Sequence, residues 1–176
     1  MKINIKLDTR SVKMAIRNIK QYKRELDEKY ILFVQRLADE GIEVAKLNTG
    51  KYKPYITFSK EVTGSNNEVI GRLIGVGTSV ERIRNKQVIF ADPLLLAEFG
   101  SGWEARVLDN VSDVGQGTFP EQTHAEDLQG WWYVDVETGE SVHSFGEEPT
   151  FPMHNAALAM ILAVNRVARE VFGNGR

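Results

Sequence analysis

From Val12 onward the apolar residues Val12, Ile16, Ile19, Leu26, Tyr30, Phe33, Leu37 and Ala45 recur mostly at steps of three or four, and no proline or glycine intervenes before Gly41. That spacing predicts an amphipathic helix, with Thr9 or Ser11 placed to cap its start. Over residues 9–40 such a helix measures about 48 Å, whereas a compact domain of 176 residues is only about 40 Å across. The helix must therefore bend, break or project. Asp27-Glu28 offers one place for a break, because acidic residues suit a first helical turn; the alternative is that the far end docks on a neighbouring subunit.

Beyond Asn48-Thr49-Gly50 the apolar period falls to two. Ile56, Phe58 and Val62, then Ile70, Ile74 and Val76, predict a β-hairpin turned by Gly64-Ser65-Asn66-Asn67. Gln87-Val88-Ile89-Phe90 predicts another short strand, and Ala97-Glu98-Phe99 the end of one more. Residues 100–130 have no clear period and form the first part of a long excursion, which spans 100–150 and carries its own hairpin: Trp131–Val136 turned by Glu137-Thr138-Gly139-Glu140 into Ser141–Phe145. Loops this long are usually functional. Ala156, Ala157, Met160, Ile161, Val164, Val167, Ala168 and Val171 then predict a closing helix that packs on the sheet, with Pro152 in its first turn and Gly173 at its end.

A chain of this length fits one domain, 1–176, able to bury about 70% of its unfolded surface without staples. It contains no cysteine, which suits a reducing compartment. The first eight residues lack the apolar core of a signal peptide, and no run approaches the roughly 20 apolar residues of a membrane helix, so a soluble protein made in the cytoplasm is expected. Its net charge of -2 hides a split: residues 1–60 carry 14 Lys+Arg against 7 Asp+Glu, and the remainder 8 against 17. Between Asp92 and Glu148, 13 acidic side chains face one base, Arg106. Such asymmetry can steer one copy onto another.

Chemistry is harder to find. His124, His143 and His154 are scattered without a second ligand type at zinc-site spacing. Gly71, Gly75 and Gly77 lack the Lys-Ser/Thr of a phosphate loop and fit close backbone packing or a bulge; no Gly-x-Ser-x-Gly elbow exists. Trp103, Trp131 and Trp132 lie in the acidic segment, and Trp faces beside paired carboxylates are what glycosidases use. Glu98 with Glu104, or Glu121 with Asp127, are the pairs that could be nominated as acid and base. Nothing in their spacing singles out one pair, and aromatics in a small hairpin equally serve its core or an oligomer contact. Lys13, Arg17, Lys20, Lys23, Arg24 and Lys51-Tyr52-Lys53 would suit nucleic acid, but Glu25, Asp27 and Glu28 interrupt them and the pI is about 6.0, below that of a dedicated binder.

The order is basic amphipathic helix, β-hairpin, Leu-Leu-Ala-Glu-Phe-Gly (95–100), Gly-rich excursion, Phe-Pro-Met (151–153) and apolar C-terminal helix. It resembles the small tail-completion, or head–tail joining, proteins of HK-type long-tailed bacteriophages and Gram-positive prophages. Gly117–Ala125 followed by Gly130-Trp131-Trp132-Tyr133 looks like the insertion of the Gram-positive prophage branch. The resemblance implies an α+β fold in which a long N-terminal helix, whole or broken in two, and a C-terminal helix pack on an antiparallel sheet. It implies a structural protein without catalytic residues, metal or cofactor, assembling into a ring between head connector and tail tube. Its expected partners are head-closure, tail-terminator or tail-tube proteins, with DNA passing through a lumen without specific binding and no membrane involved. The expected location is the host cytoplasm during assembly and then the virion. Glu98, Phe99, Gly100, Trp131, Trp132, Phe151, Pro152 and Met153 are the motif or interface positions. The alternative is a carbohydrate-active or cell-wall-binding module that uses the acidic, Trp-bearing segment.

Overall fold

A computed structural model of the protein describes residues 8–65, 68–78, 80–84, 87–102, 128–134 and 138–173. Helix α1 spans Thr9–Leu47 without interruption, about 58 Å at the helical rise. Its cap is Asp8, one residue before Thr9 and three before Ser11: the Asp8 carboxylate accepts from the backbone N–H of Arg10 and Ser11, each at 2.9 Å, and from the Ser11 hydroxyl. A carboxylate at this position also answers the positive end of the helix dipole. Asp27-Glu28 does not break the helix, since acidic side chains remove no backbone donor and impose no special φ. Of bending, breaking and projecting, breaking is excluded: α1 is continuous, and its residues 16–25 are all exposed.

Among the described residues, contacts at Tyr30, Phe33, Val34, Leu37 and Gly41 hold α1 in place. Helix α3, Pro152–Phe172, packs chiefly on α1 rather than on the sheet as expected, leaving Ile161 and Val164 exposed, and it lies antiparallel to α1: Phe172 packs on Tyr30 and Phe33, and Met160 lies over Gly41. Ala163, Val167 and Val171 are buried against Phe33, Leu37 and Phe172. Arg166 pairs with Glu40 and Glu170 across the rim, and Arg36 with Glu170. Strands β1 (Ile56–Ser65) and β2 (Glu68–Gly77) follow a 3₁₀ turn at Gly50–Tyr55 and form the expected antiparallel hairpin, from Ile56↔Gly77 to Ser65↔Glu68. It packs on another side of α1, with Ile31 at Gly64, Val34 at Gly71 and Leu73 at Gly41. Gly41 thus sits where α1, β2 and α3 converge: a Cβ there would lie 2.7 Å from Leu73 Cδ1 and 2.9 Å from Met160 Sδ. Gly75 and Gly77 likewise admit Leu94 and Asp92 to the strand, the close packing expected of them.

Strand β3 (Val80–Arg84) pairs with β4 (Gln87–Ala91), the expected strand. Ala97-Glu98-Phe99 is not the end of a strand but of a helix, α2, Pro93–Phe99. Asp92 caps it by accepting from Leu94 N–H at 2.8 Å, and Pro93 occupies the first-turn position that costs no hydrogen bond. Strand β5 (Ser101–Gly102) then pairs with β8 (Gly146–Glu147), so the excursion leaves and returns at one place. Within it β6 (Trp131–Val134) and β7 (Ser141–Ser144) form the expected hairpin. The protein is α+β; among the described residues every strand pair is antiparallel, arranged as two-stranded ladders.

Candidate functional site

The two motifs that lie some fifty residues apart in sequence meet in space. Helix α3 begins with Pro152, which has no N–H to satisfy, and Asn155 N–H is already bonded to Phe151 C=O at 2.9 Å. The two first-turn donors between them both go to Glu98: Met153 N–H to Oε2 at 2.7 Å and His154 N–H to Oε1 at 3.0 Å. A side chain from α2 therefore caps α3, which lacks a cap of its own because Phe151 precedes it. Glu98 is 8% exposed. Burial pushes its carboxyl above the ordinary value, against the opposing pull of the two N–H donors and His154.

Neighbouring bonds tighten this joint. Thr150 N–H, Phe151 N–H and the Thr150 hydroxyl all donate to Ala97 C=O. Asn155 Nδ2 donates to Asn48 Oδ1 and to Thr150 C=O, tying in the end of α1, where Asn48 Nδ2 donates in turn to Val44 C=O at 2.7 Å. Lys51 and Tyr52 both reach the Glu147 carboxylate, fixing the return of the excursion. Phe99, Gly100 and Pro152 are buried, and Phe151 and Met153 half-buried. These six motif positions form one internal joint between α1, α2 and α3.

Phe151 enters that joint with φ 52° and ψ 51°, the left-handed region, which costs a residue with a Cβ about 1–2 kcal/mol. Phe151→Ala keeps the strain and loses the ring, including its edge contact with His154. Phe151→Gly loses the ring but also the strain. The glycine variant should consequently be the more stable of the two by about 1 kcal/mol, measured by urea denaturation; equal stabilities would show that the backbone relaxes without cost.

The tryptophans are elsewhere. Trp132 is 68% exposed and lies 4.7 Å, ring to ring, from His143 directly across the hairpin, with Phe145 next to His143 on the same face. Val134 is also exposed there, while Trp131 and Val142, on the other face, are half-buried. Of the nominated carboxylate pairs, Glu98 has both oxygens engaged by α3, and Glu104, Glu121 and Asp127 lie outside the described residues, as do Trp103 and His124. Among the described residues no group of three or more His, Asp or Glu side chains could hold a metal ion, and no helix is long and apolar enough to cross a membrane. Sequence reasoning missed Asn48, Thr150 and Asn155 as members of the joint; their only signal is that each is a short polar side chain at a helix end. No protein-family model matches the chain, and comparison with curated proteins and with solved structures gives no match.

Proposed function

We propose that the chain is a structural protein of the head–tail interface of a long-tailed bacteriophage or prophage, a tail-completion adaptor that forms or joins an oligomeric ring and performs no reaction. The observation that carries this reading is the joint itself. The Leu-Leu-Ala-Glu-Phe-Gly and Phe-Pro-Met motifs, on which the resemblance rests, are halves of one capping device, so their co-occurrence has a physical reason. A long helix that exposes Val12, Ile16 and Ile19 and a hairpin that exposes Trp132 and Val134 suit a protein whose product is a fitted surface. The proposed partners are head-closure, tail-terminator or tail-tube proteins, with DNA passing through the lumen, in the host cytoplasm and then in the virion.

Deleting the gene from an inducible prophage should leave filled heads and finished tails unjoined, as seen by electron microscopy. Normal joined virions would overturn the proposal. If the charge split drives assembly, self-association should fall sharply between low salt and about 0.5 M salt, where the Debye length is about 4 Å; light scattering that is indifferent to salt would remove that role. The carbohydrate reading draws its support from the exposed Trp132–His143–Phe145 face, which offers rings on which a sugar can stack. Glycan binding by a monomer, lost in Trp132→Ala, would favour it instead.

A further inference from the structure

Two of the exposed apolar surfaces among the described residues differ in their charge: one is basic while the other lies in the acidic part of the chain. The first is the arm, residues 9–29 of α1, about 31 Å of helix that precedes Tyr30, where α3 and the β1–β2 hairpin begin to cover α1. Its residues Val12, Ile16, Ile19 and Leu26 prolong the same stripe that Phe172 covers at Tyr30 and Phe33. On the arm Val12, Ile16, Ile19 and Tyr22 are exposed, Leu26 is half-buried and Ala15 is the buried exception. Beside this stripe Arg10, Lys13, Arg17, Lys20 and Arg24 recur at steps of three and four, and no acidic residue occurs from Thr9 to Arg24. The interface that α1 makes with its own core thus continues, uncovered, into a positively charged extension.

The second surface is the outer face of the β6–β7 hairpin. Trp132, Val134 and Phe145 are exposed on it, and β6 and β7 pack chiefly on one another among the described elements. A two-stranded hairpin with nothing over its apolar face is marginal in water. Glu140 is exposed just before β7 and Glu148 just after β8, and no lysine or arginine occurs from residue 107 to residue 150. Among the described elements α1 packs chiefly on α3, β1 and β2.

We propose that the arm of one copy docks across the Trp132 face of the β6–β7 hairpin of a second copy, a head-to-tail contact. The proposal rests on the self-assembling reading above and assigns it two surfaces. The chain already uses this mode of packing, because the covered half of α1 lies over the β1–β2 hairpin. Arm against arm is opposed by the like charge of the two basic stripes, whereas arm against hairpin pairs opposite charges around an apolar centre. Made head to tail rather than reciprocally about a two-fold axis, such a contact propagates into a ring or a filament.

The test uses the full chain and two variants altered only at exposed side chains, Ile16→Glu/Ile19→Glu and Trp132→Ser/Phe145→Ser. Each alone should self-associate at least about tenfold more weakly than wild type by analytical ultracentrifugation, with an unchanged far-ultraviolet circular dichroism spectrum. Mixed in equal amounts they should form a one-to-one complex and stop there, since the first keeps its hairpin and the second its arm. Lys13→Glu/Arg17→Glu should reproduce the arm defect, and Glu140→Lys/Glu148→Lys added to the opposite copy should relieve it. Failure of the two variants to complement, or wild-type association by either, overturns the proposal. So does a wild-type chain that stays monomeric while its arm binds anionic phosphatidylglycerol vesicles. In that event the head–tail reading stands or falls separately on the deletion phenotype.

Discussion

Glu98→Ala should destabilise the protein by about 2–4 kcal/mol, the loss expected when a helix cap is removed and two part-buried backbone donors are stranded. Both carboxylate oxygens are committed to the start of α3, one to Met153 N–H and one to His154 N–H. No residue at the head of α3 can replace them, because Phe151 offers no side-chain acceptor and Pro152 fills the first position. Water does not readily enter a site where Ala97, Phe99, Gly100 and Pro152 are all buried. Glu98→Gln keeps one acceptor oxygen but turns an amide NH₂ toward the other N–H, and should recover at most half of the loss. Urea denaturation of the three proteins measures this directly. A loss below about 0.5 kcal/mol for Glu98→Ala, the range of ordinary surface substitutions, would mean that α3 is not held by this cap.

The same residue marks where sequence reasoning ended. Periodicity revealed α1, the β1–β2 hairpin, the β6–β7 hairpin and α3, since each follows from spacing along one segment. The continuity of α1 through Asp27-Glu28 was open, because charge in a helix interior has only weak local consequences while the helix gains its stability from Tyr30 onward by packing. Helix α2 was misread as strand even though Asp92-Pro93 followed by Leu94-Leu95-Leu96-Ala97-Glu98 is a cap, a first-turn proline and a run of strong helix formers; seven residues are too few for a period to stand out. Strand β3, Val80–Arg84, went unnoticed because only Val80 and Ile83 are apolar. The meeting of Glu98 with Met153 and His154 depends on a contact across more than fifty residues, and no local pattern encodes that. What could be seen was two motifs of unexplained composition, one ending in glycine and one centred on proline, and backbone geometry supplies the reason for both.

That glycine is the subject of the second large effect. Gly100→Ala should cost about 3–5 kcal/mol, combining backbone strain with a steric clash that cannot relax cheaply. Gly100 ends α2 at φ 74° and ψ -164°, a region open essentially to glycine alone. A Cβ there would strike the Glu147 carbonyl oxygen and lie 2.9 Å from Pro149 Cδ and 3.0 Å from Pro149 N. Two of those three neighbours are backbone atoms, and the β5–β8 pairing, with Glu147 further held by Lys51 and Tyr52, prevents them from withdrawing. Gly139 provides the internal control: its φ is 71°, but nothing lies within 4 Å of where its Cβ would be. Gly139→Ala should therefore show the conformational penalty without the clash, about 1 kcal/mol. The difference between the two substitutions isolates the cost of close approach at the joint, and thermal or urea unfolding that ranks them equal would show that the return strand of the excursion yields where α2 meets it.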